Sequence, residues 1–323
     1  MIENEKSAIL NLKSEIAFLF PGQGSQYPGM GKDLAENFPV ARQVFEEADE
    51  ALSFSISRLC FEGPEEALQL TENTQPAIVA ASVAAFRSMQ EQGFTVPAFV
   101  AGHSLGEYSA LVAAGAISLA DAVRTVRARG RYMQEAVPVG TGAMVAVIGG
   151  DLNAIEAACK EASSGQVCSV ANINSPNQVV IAGDVTAVDR VMDLLKSIAK
   201  RVIKLNVSAP FHCALMKPAQ ERLSYDLEQL AFSKAKVPVV TNVDASTTSE
   251  PGELRDALFR QVSAPVRWLQ SMELLLQLGV NTFVEVGPGK VLSGLMRQIN
   301  REANCLNVED SASLEAARAK LNT

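Results

Sequence analysis

The segment Ala98-Phe-Val-Ala-Gly-His-Ser-Leu-Gly-Glu107 joins a short apolar run to a Gly-x-Ser-x-Gly pattern. The run at residues 98–101 predicts a buried strand, and residues 105–114 predict a helix. A serine between such a strand and helix is typical of the nucleophile elbow, a strained turn that needs glycines and exposes the serine hydroxyl. The alternative interpretation is a glycine-rich turn in which Ser104 only caps the helix.

Short apolar runs alternate with helical patterns on both sides of this segment, which indicates an α/β architecture. Residues 16–20 and 282–286 predict two further strands, and each is followed by proline and glycine. Predicted helices lie at residues 76–92, 105–114, 120–136 and 271–278.

The middle of the chain follows a different order of elements, β-α-β-β-α-β, which is that of a ferredoxin-like unit. The predicted strands lie at residues 142–148, 167–173, 178–181 and 201–207, and the predicted helices at 152–162 and 185–200. We therefore expect a small ferredoxin-like domain, residues 138–208, inserted into a large α/β domain formed by residues 1–137 and 209–323.

Composition excludes several classes of function. The chain has 28 Lys plus Arg against 36 Asp plus Glu, a net charge of −8, so nucleic acids are poor partners. It lacks the about 18 unbroken apolar residues that would indicate a membrane span, and its acidic start is unlike a signal peptide. The five scattered cysteines indicate reduced thiols and no zinc site. These features predict a cytoplasmic protein without a metal.

A nucleophilic serine needs a base, and the sequence contains only two histidines, His103 and His212. Adjacent residues on a tight elbow point apart, so His212 is the predicted base of Ser104. A lone histidine is more often structural, but the elbow favours the catalytic interpretation. The order Ser, acid, His near the C-terminus of ordinary hydrolases fits poorly, because a long stretch of chain follows His212.

Further motifs occur in order along the chain: Phe20-Pro-Gly-Gln-Gly-Ser-Gln26, Thr74-Gln-Pro-Ala77, Gly102-His-Ser-Leu-Gly-Glu107, Ala128-Arg-Gly130, Pro210-Phe-His-Cys213, Asn242-Val-Asp244 and Glu285-Val-Gly-Pro-Gly-Lys290. Together they resemble the malonyl-CoA:acyl carrier protein transacylases over residues 15–308. The resemblance implies an α/β-hydrolase-like large domain with an inserted ferredoxin-like small domain. It also implies malonyl transfer from malonyl-CoA to the phosphopantetheine thiol of acyl carrier protein in fatty acid biosynthesis, with no cofactor, since malonyl-CoA is a substrate.

The resemblance assigns a role to each matching position. Ser104 would carry malonyl as an ester, and His212 would be its base. The main-chain carbonyl of Gln261 would orient the imidazole, and the backbone N–H groups of Gln23 and Leu105 would form the oxyanion hole.

Substrate selection is implied for Arg129, whose planar guanidinium can hold the malonyl carboxylate by two parallel hydrogen bonds. Taken alone, Arg129 and its neighbouring arginines would indicate a solvated helix face. Gln75, on the Thr74-Gln-Pro turn, and Asn174 would help to fill the same pocket. Phe211 is the bulky residue that is associated with malonyl in polyketide acyltransferases, whereas many stand-alone malonyl enzymes have serine there.

The carrier implied by the resemblance is strongly acidic, so its docking requires a basic patch beside the Ser104 cleft. Lys200 and Arg201 are predicted to supply it, because they lie between the last helix of the small domain and the strand that leads to His212. The alternative is that they only complement the helix dipole. None of the motifs requires a second subunit, so a monomer is expected.

Three other functions stay open at this point. The chain would be a discrete malonyl transferase that serves a polyketide synthase, a thioesterase-like editing hydrolase in which water replaces the carrier thiol, or a non-catalytic scaffold. The presence of Ser104, His212 and Arg129 together argues against the scaffold.

Overall fold

The computed structural model describes residues 16–207 and 209–321, and its elements alternate between strands and helices. The start of the chain, on which the prediction of no signal peptide rests, lies outside these residues. The strands are β1 (Ile16–Phe20), β2 (Phe99–Gly102), β3 (Gly142–Ile148), β4 (Cys168–Ser175), β5 (Gln178–Asp184), β6 (Arg201–Lys204), β7 (Val239–Val240), β8 (Thr247–Thr248), β9 (Thr282–Val286) and β10 (Asn304–Val308).

The helices contribute most of the remaining structure, together with a 3₁₀ turn at Ala214–Met216. They are α1 (Lys32–Asn37), α2 (Pro39–Leu52), α3 (Ile56–Glu62), α4 (Glu65–Leu68), α5 (Thr71–Glu91), α6 (Gly106–Ala113), α7 (Leu119–Glu135), α8 (Leu152–Ser163), α9 (Val185–Leu195), α10 (Lys217–Gln229), α11 (Pro251–Gln261), α12 (Trp268–Gln277), α13 (Val291–Ile299) and α14 (Ser311–Leu321).

The larger sheet has the strand order β10-β9-β1-β2-β7-β8, and its pairs are parallel except for β7 with β8. Phe18 and Phe20 of β1 belong to the apolar cluster on one face. Ala17 and Leu19 of the same strand belong to the cluster on the other face. A mostly parallel sheet that is buried on both faces is typical of α/β proteins, so the predicted fold class is confirmed.

The smaller sheet is antiparallel and has the strand order β4-β5-β3-β6. Val145 and Ile181 pack with Val188 of α9 in a cluster of their own on one face. Met144 and Val180, on the opposite face, pack into the core of the large sheet. The β-α-β-β-α-β order is that of the predicted ferredoxin-like unit. The domain boundaries at residues 138 and 208 stay a prediction.

Two loops of chemical interest begin side by side at the carboxyl ends of β1 and β2. The two strands pair in parallel with Phe20 opposite Gly102, and Ser104 follows directly. Open α/β sheets bind their ligands at this edge. A side chain on Gly106 would overlap the Phe20 carbonyl, so glycine is needed there for the loop and helix to pack against β1.

One helix starts earlier than the sequence predicts. Helix α5 begins at Thr71, and Pro76 lies inside it, although proline was expected to be its first residue. The proline is tolerated because only one early backbone bond is lost. Gln75 therefore projects from a helix and not from a turn, and it is buried.

The last elements of the small unit are shorter than predicted. Helix α9 ends at Leu195 instead of Lys200, and β6 ends at Lys204 instead of Val207. Residues 205–207 leave the sheet and line the cleft described below.

Residues 16–207 and 209–321 contain no helix that is both long and apolar enough to cross a membrane. The same ranges contain no group of His, Cys, Asp and Glu side chains that could hold a metal ion. The cysteines are all free thiols.

Candidate active site

Ser104 occupies the turn between β2 and α6 with a φ of +52°, which is the left-handed region that L-residues rarely adopt. The Asn242 side chain holds this turn at both ends. Its Oδ1 accepts a hydrogen bond from the Ser104 N–H at 2.7 Å, and its Nδ2 donates to the Gly102 carbonyl at 2.6 Å. The strained turn is therefore fixed by a residue from the loop after β7.

The hydroxyl of Ser104 lies 2.7 Å from Nε2 of His212. The other ring nitrogen, Nδ1, lies 2.9 Å from the main-chain carbonyl of Gln261. A carbonyl only accepts, so Nδ1 carries the proton and Nε2 is the free acceptor for the serine proton. Burial and the positive charge of Arg129 lower the pKa of His212 to about 3, so the imidazole is neutral at neutral pH.

The second histidine has a different environment. Nε2 of His103 lies 2.8 Å from Oδ1 of Asn174, and its ring centroid is 5.4 Å from that of Trp268. Asn174 also donates from Nδ2 to the Gln178 side chain at 3.3 Å. Asn174 thus reaches the cleft, but its closest polar partner is His103.

Arg129 is buried beside Ser104 and His212, with only 2% of its surface exposed. Its Nη1 donates to Oε1 of Gln75 at 2.9 Å. Its Nη2 donates to Oε1 of Gln261 at 3.0 Å and to Oγ of Ser104 at 3.2 Å. All three acceptors are neutral, and among residues 16–207 and 209–321 no carboxylate forms an ion pair with this guanidinium.

The burial of an arginine without a carboxylate partner is costly, because desolvation disfavours the charge. Desolvation lowers the pKa of Arg129, but guanidinium still stays protonated at neutral pH. The site therefore presents a fixed positive charge next to a nucleophilic hydroxyl, which suits an acyl group that carries its own carboxylate.

The expected oxyanion hole consists of two backbone N–H groups in the same cleft. Gln23 and Leu105 both line it together with Ser104. Within the described part of the chain, neither backbone N–H has a hydrogen-bond acceptor. A side chain on Gly22 would overlap the His103 carbonyl, so glycine lets the two loops lie this close together.

Three contributions to the site were not predicted from the sequence. They come from the side chains of Glu107, Asn242 and Gln261. Gln261 was expected to contribute its main-chain carbonyl only, yet its amide also contacts Arg129 and the Ser104 carbonyl. Asn242 lies in the motif Asn242-Val-Asp244, and Glu107 ends the motif Gly102-His-Ser-Leu-Gly-Glu107. Membership of these motifs was the only feature of the sequence that could have indicated their contribution.

A cleft of about 860 Å³ surrounds Ser104 and opens between the two sheets. Phe211 lines it directly before His212, and Met144 and Val180 of the small sheet form the opposite wall. The mouth of the cleft carries exposed apolar side chains, among them Val139 and Val207. The cleft is large enough for an extended thioester substrate.

The structure does not bring Lys200 and Arg201 to this cleft. They line a separate depression against α9, together with Asp189, Asp193 and Lys196. Neither residue lines the cleft, and their role in carrier docking stays a prediction. Both side chains are exposed.

Comparisons with known proteins show to which family the chain is similar. Residues 17–317 match the acyl transferase domain family. The malonyl CoA-acyl carrier protein transacylase of Salmonella typhimurium is 50% identical over 94% of this chain and 99% of its own length. The enzyme of the same name from Bacillus subtilis is 49% identical over 94% of this chain and 96% of its own length.

Solved structures give the same result. An acyl carrier protein S-malonyltransferase from Vibrio cholerae is 49% identical, with a TM-score of 0.93 over 94% of this chain and all of the other. A malonyl-transacylase in complex with its type II polyketide acyl-carrier protein is 50% identical, with a TM-score of 0.93 over 95% of this chain and 100% of the other. This chain belongs to the acyl transferase domain family and, within it, to the malonyl CoA-acyl carrier protein transacylases.

Proposed function

We propose that this chain transfers malonyl from malonyl-CoA to the phosphopantetheine thiol of acyl carrier protein, through an ester on Ser104. The observation that carries the proposal is the contact of a buried guanidinium, that of Arg129, with the hydroxyl that His212 can deprotonate. The nucleophile and the group that recognises a carboxylate thus lie within one hydrogen bond of each other.

The first half-reaction forms the ester. Oγ of Ser104 attacks the thioester carbonyl of malonyl-CoA, and its proton passes to Nε2 of His212. The N–H groups of Gln23 and Leu105 stabilise the oxyanion of the tetrahedral intermediate. When the carbon–sulfur bond breaks, coenzyme A leaves as its thiol with the proton from Nε2.

The second half-reaction reverses these steps with a different thiol. Nε2 of His212 takes the proton of the phosphopantetheine thiol, and the thiolate attacks the malonyl ester. The carbon–oxygen bond to Ser104 breaks, and Oγ regains the proton from Nε2. No acid is needed behind the imidazole, because the Gln261 carbonyl already fixes its tautomer.

Arg129 selects the acyl group. Each terminal nitrogen of a guanidinium carries two N–H groups. Nη1 uses one of its N–H groups for Gln75, and the bond from Nη2 to Oγ is weakened when Ser104 becomes an ester. One N–H group on each nitrogen is then available, which is what two parallel bonds to the malonyl carboxylate require.

Other parts of the proposal rest on the sequence and the family. The mechanism uses no cofactor or metal, since coenzyme A enters as part of the substrate. Gln75 and Phe211 shape the acyl pocket, and Asn174 contributes to its wall. The cytoplasmic location and the monomeric state stay predictions.

Two alternatives differ from the proposal by their second substrate. The structure of a relative that is 50% identical to this chain was solved in complex with a type II polyketide acyl-carrier protein, so a polyketide carrier is the second candidate. In a thioesterase-like hydrolase, water would replace the carrier thiol.

One experiment separates these cases. The purified chain is mixed with malonyl-CoA, and its intact mass is measured before and after addition of a holo-carrier. The proposal expects one malonyl adduct that moves to a fatty acid carrier faster than to a polyketide carrier. Loss of the adduct in buffer alone, at the same rate as with carrier, would instead identify a hydrolase.

A further inference from the structure

Glu107 is a carboxylic acid buried directly behind the elbow, on the first turn of α6. Only 1% of its surface is exposed, and it does not line the cleft. Its Oε2 accepts hydrogen bonds from the backbone N–H of Asn242 at 3.0 Å and from Nε2 of Gln261 at 2.9 Å. Its Oε1 has no hydrogen-bond partner in the described part of the chain. The steps proposed above leave this acid without a role.

The contact with Gln261 determines which way an amide faces. A glutamine amide has a donor end and an acceptor end of nearly the same shape. Nε2 of Gln261 lies between two acceptors, the Glu107 carboxyl and the main-chain carbonyl of Ser104 at 3.0 Å. Oε1 must then face the opposite way, and there it accepts the hydrogen bond from Nη2 of Arg129.

Without Glu107, this orientation would be weakly determined. One acceptor for Nε2 would remain, and the amide could turn its NH₂ group toward the guanidinium. Two donors would then face each other, and Arg129 would have to move away from Ser104. The link is specific because, in the described chain, only Ser104, Gln75 and Gln261 accept hydrogen bonds from Arg129.

We propose that Glu107 is a positioning residue for malonyl selection: its carboxyl oxygen orients the Gln261 amide, which in turn holds Arg129 beside Ser104. The inference rests on the proposed function, since it assigns Arg129 to the malonyl carboxylate. It goes beyond that function because Glu107 contacts neither the substrate cleft nor His212. Through Asn242, the same carboxyl oxygen also steadies the loop that clamps the elbow.

Two variants of Glu107 test whether its carboxyl oxygen is needed as a hydrogen-bond acceptor for the Gln261 amide. Glu107→Ala removes it, and kcat/KM for malonyl-CoA relative to acetyl-CoA should fall by about tenfold, the effect of one misplaced charged hydrogen bond. Glu107→Gln keeps one carbonyl oxygen where both donors converge, so the ratio should stay within about threefold of the parent value. An equal loss of selectivity in both variants would overturn the proposal, because the charge would then be needed and not the acceptor.

Coupling to Gln261 provides a second test. Gln261→Met keeps the main-chain carbonyl that faces His212 but removes the amide, so malonyl selectivity should fall. Adding Glu107→Ala to Gln261→Met should change the malonyl-to-acetyl ratio no further, since the amide through which Glu107 acts is absent. Additive losses in the double variant would contradict the proposed route. If Glu107→Ala is too unstable to assay, Gln261→Met alone still tests the route, because an unchanged malonyl-to-acetyl ratio in that variant would contradict it.

Glu285 supplies a matched control for burial. It is another fully buried acid, and its carboxyl oxygens accept hydrogen bonds from the backbone N–H groups of Leu292 and Ser293 at the start of α13. Glu285→Ala should lower the unfolding midpoint but leave the malonyl-to-acetyl ratio unchanged. A shifted ratio in this control would mean that any loss of stability affects selectivity, and the role of Glu107 would be rejected. If the parent chain forms no malonyl adduct at all, the proposed function fails instead.

Discussion

The two walls of the cleft differ in how their side chains are held. On the wall of the large sheet, His212 and Arg129 are buried, and fixed partners orient each of them. On the wall of the small sheet, Met144 and Val180 offer apolar surface, and Val207 is exposed at the mouth. The first wall holds the groups that are proposed to react, and the second combines this apolar surface with the amides of Asn174 and Gln178.

The difference indicates where each kind of selectivity arises. Under the proposed function, preorganised hydrogen bonds on the first wall determine which acyl group reacts, because they need no rearrangement when charge develops. Apolar surface on the second wall would stabilise the thioester arm with little discrimination, because burial of apolar area is not directional. Substitutions on the two walls should therefore change different kinetic quantities.

The largest effect is expected from the nucleophile. Ser104→Ala should abolish the malonyl adduct in intact-mass spectra and reduce turnover by about 10⁴-fold or more. Val180→Ala, on the opposite wall, should still form the adduct. An adduct that persists in Ser104→Ala would contradict the assignment of the nucleophile.

The next effect concerns the buried guanidinium. Arg129→Ala leaves the malonyl carboxylate unpaired in a mostly dry pocket, so the ratio of kcat/KM for malonyl-CoA to that for acetyl-CoA should fall by about a thousandfold. Arg127→Ala is the matched control on α7, because its guanidinium lies over the Phe54 ring at 4.7 Å and Arg127 does not line the cleft. Equal losses with both substrates would make Arg129 a structural residue.

The sequence predicted those parts of the molecule that depend on a local pattern of residues, or on a residue type that is rare in the chain. The strand-turn-helix setting of Ser104 is local, and with two histidines in the chain the choice of base was narrow. The order of elements was sufficient for the α/β class and the ferredoxin-like unit, since each element has its own periodicity.

What the sequence did not predict depends on contacts between distant segments. The bond between Glu107 and Gln261 joins residues 154 positions apart, and no periodicity predicts it. That Lys200 and Arg201 do not line the cleft was not predictable for the same reason, because it depends on the path of the chain between α9 and the cleft. Gln75 was predicted to lie on a turn, because Pro76 is a local signal for the first residue of a helix. The helix begins at Thr71 instead, since tertiary packing overrode this signal.

Glu107, which lies behind the first wall, should make the stability of the fold depend on pH. Burial raises the pKa of Glu107 from 4.5 to about 7. A raised pKa stabilises the fold fully below pH 4.5, and this contribution is lost as pH rises through 7. Glu107→Gln lacks this titration, so its unfolding free energy relative to the parent should increase between pH 5 and pH 8, by at most about 3 kcal/mol.

Urea unfolding of the parent and of Glu107→Gln at both pH values measures this difference. The lowered pKa of His212 acts in the opposite direction, but both proteins share it, so it cancels in the comparison. A difference in unfolding free energy that does not vary with pH would mean that Glu107 titrates normally in the fold.

The smallest effect is expected away from both walls, at the exposed pair Lys200 and Arg201. In the described chain, neither forms an ion pair, whereas the neighbouring Lys196 and Lys204 bind Asp193 and Asp189. The pair is therefore available to an acidic carrier, although it lies outside the cleft.

Reversal of both charges should raise KM for the carrier about fivefold and weaken its dependence on salt, because exposed ion pairs contribute about 1 kcal/mol at most. Formation of the malonyl-enzyme from malonyl-CoA should not change, since coenzyme A enters the cleft and not this depression. Reversal of Lys32 and Lys160 alters the net charge equally at other exposed positions and should affect the carrier less. If both double variants raise KM for the carrier equally, then net charge alone governs the encounter, and Lys200 and Arg201 are not the docking site.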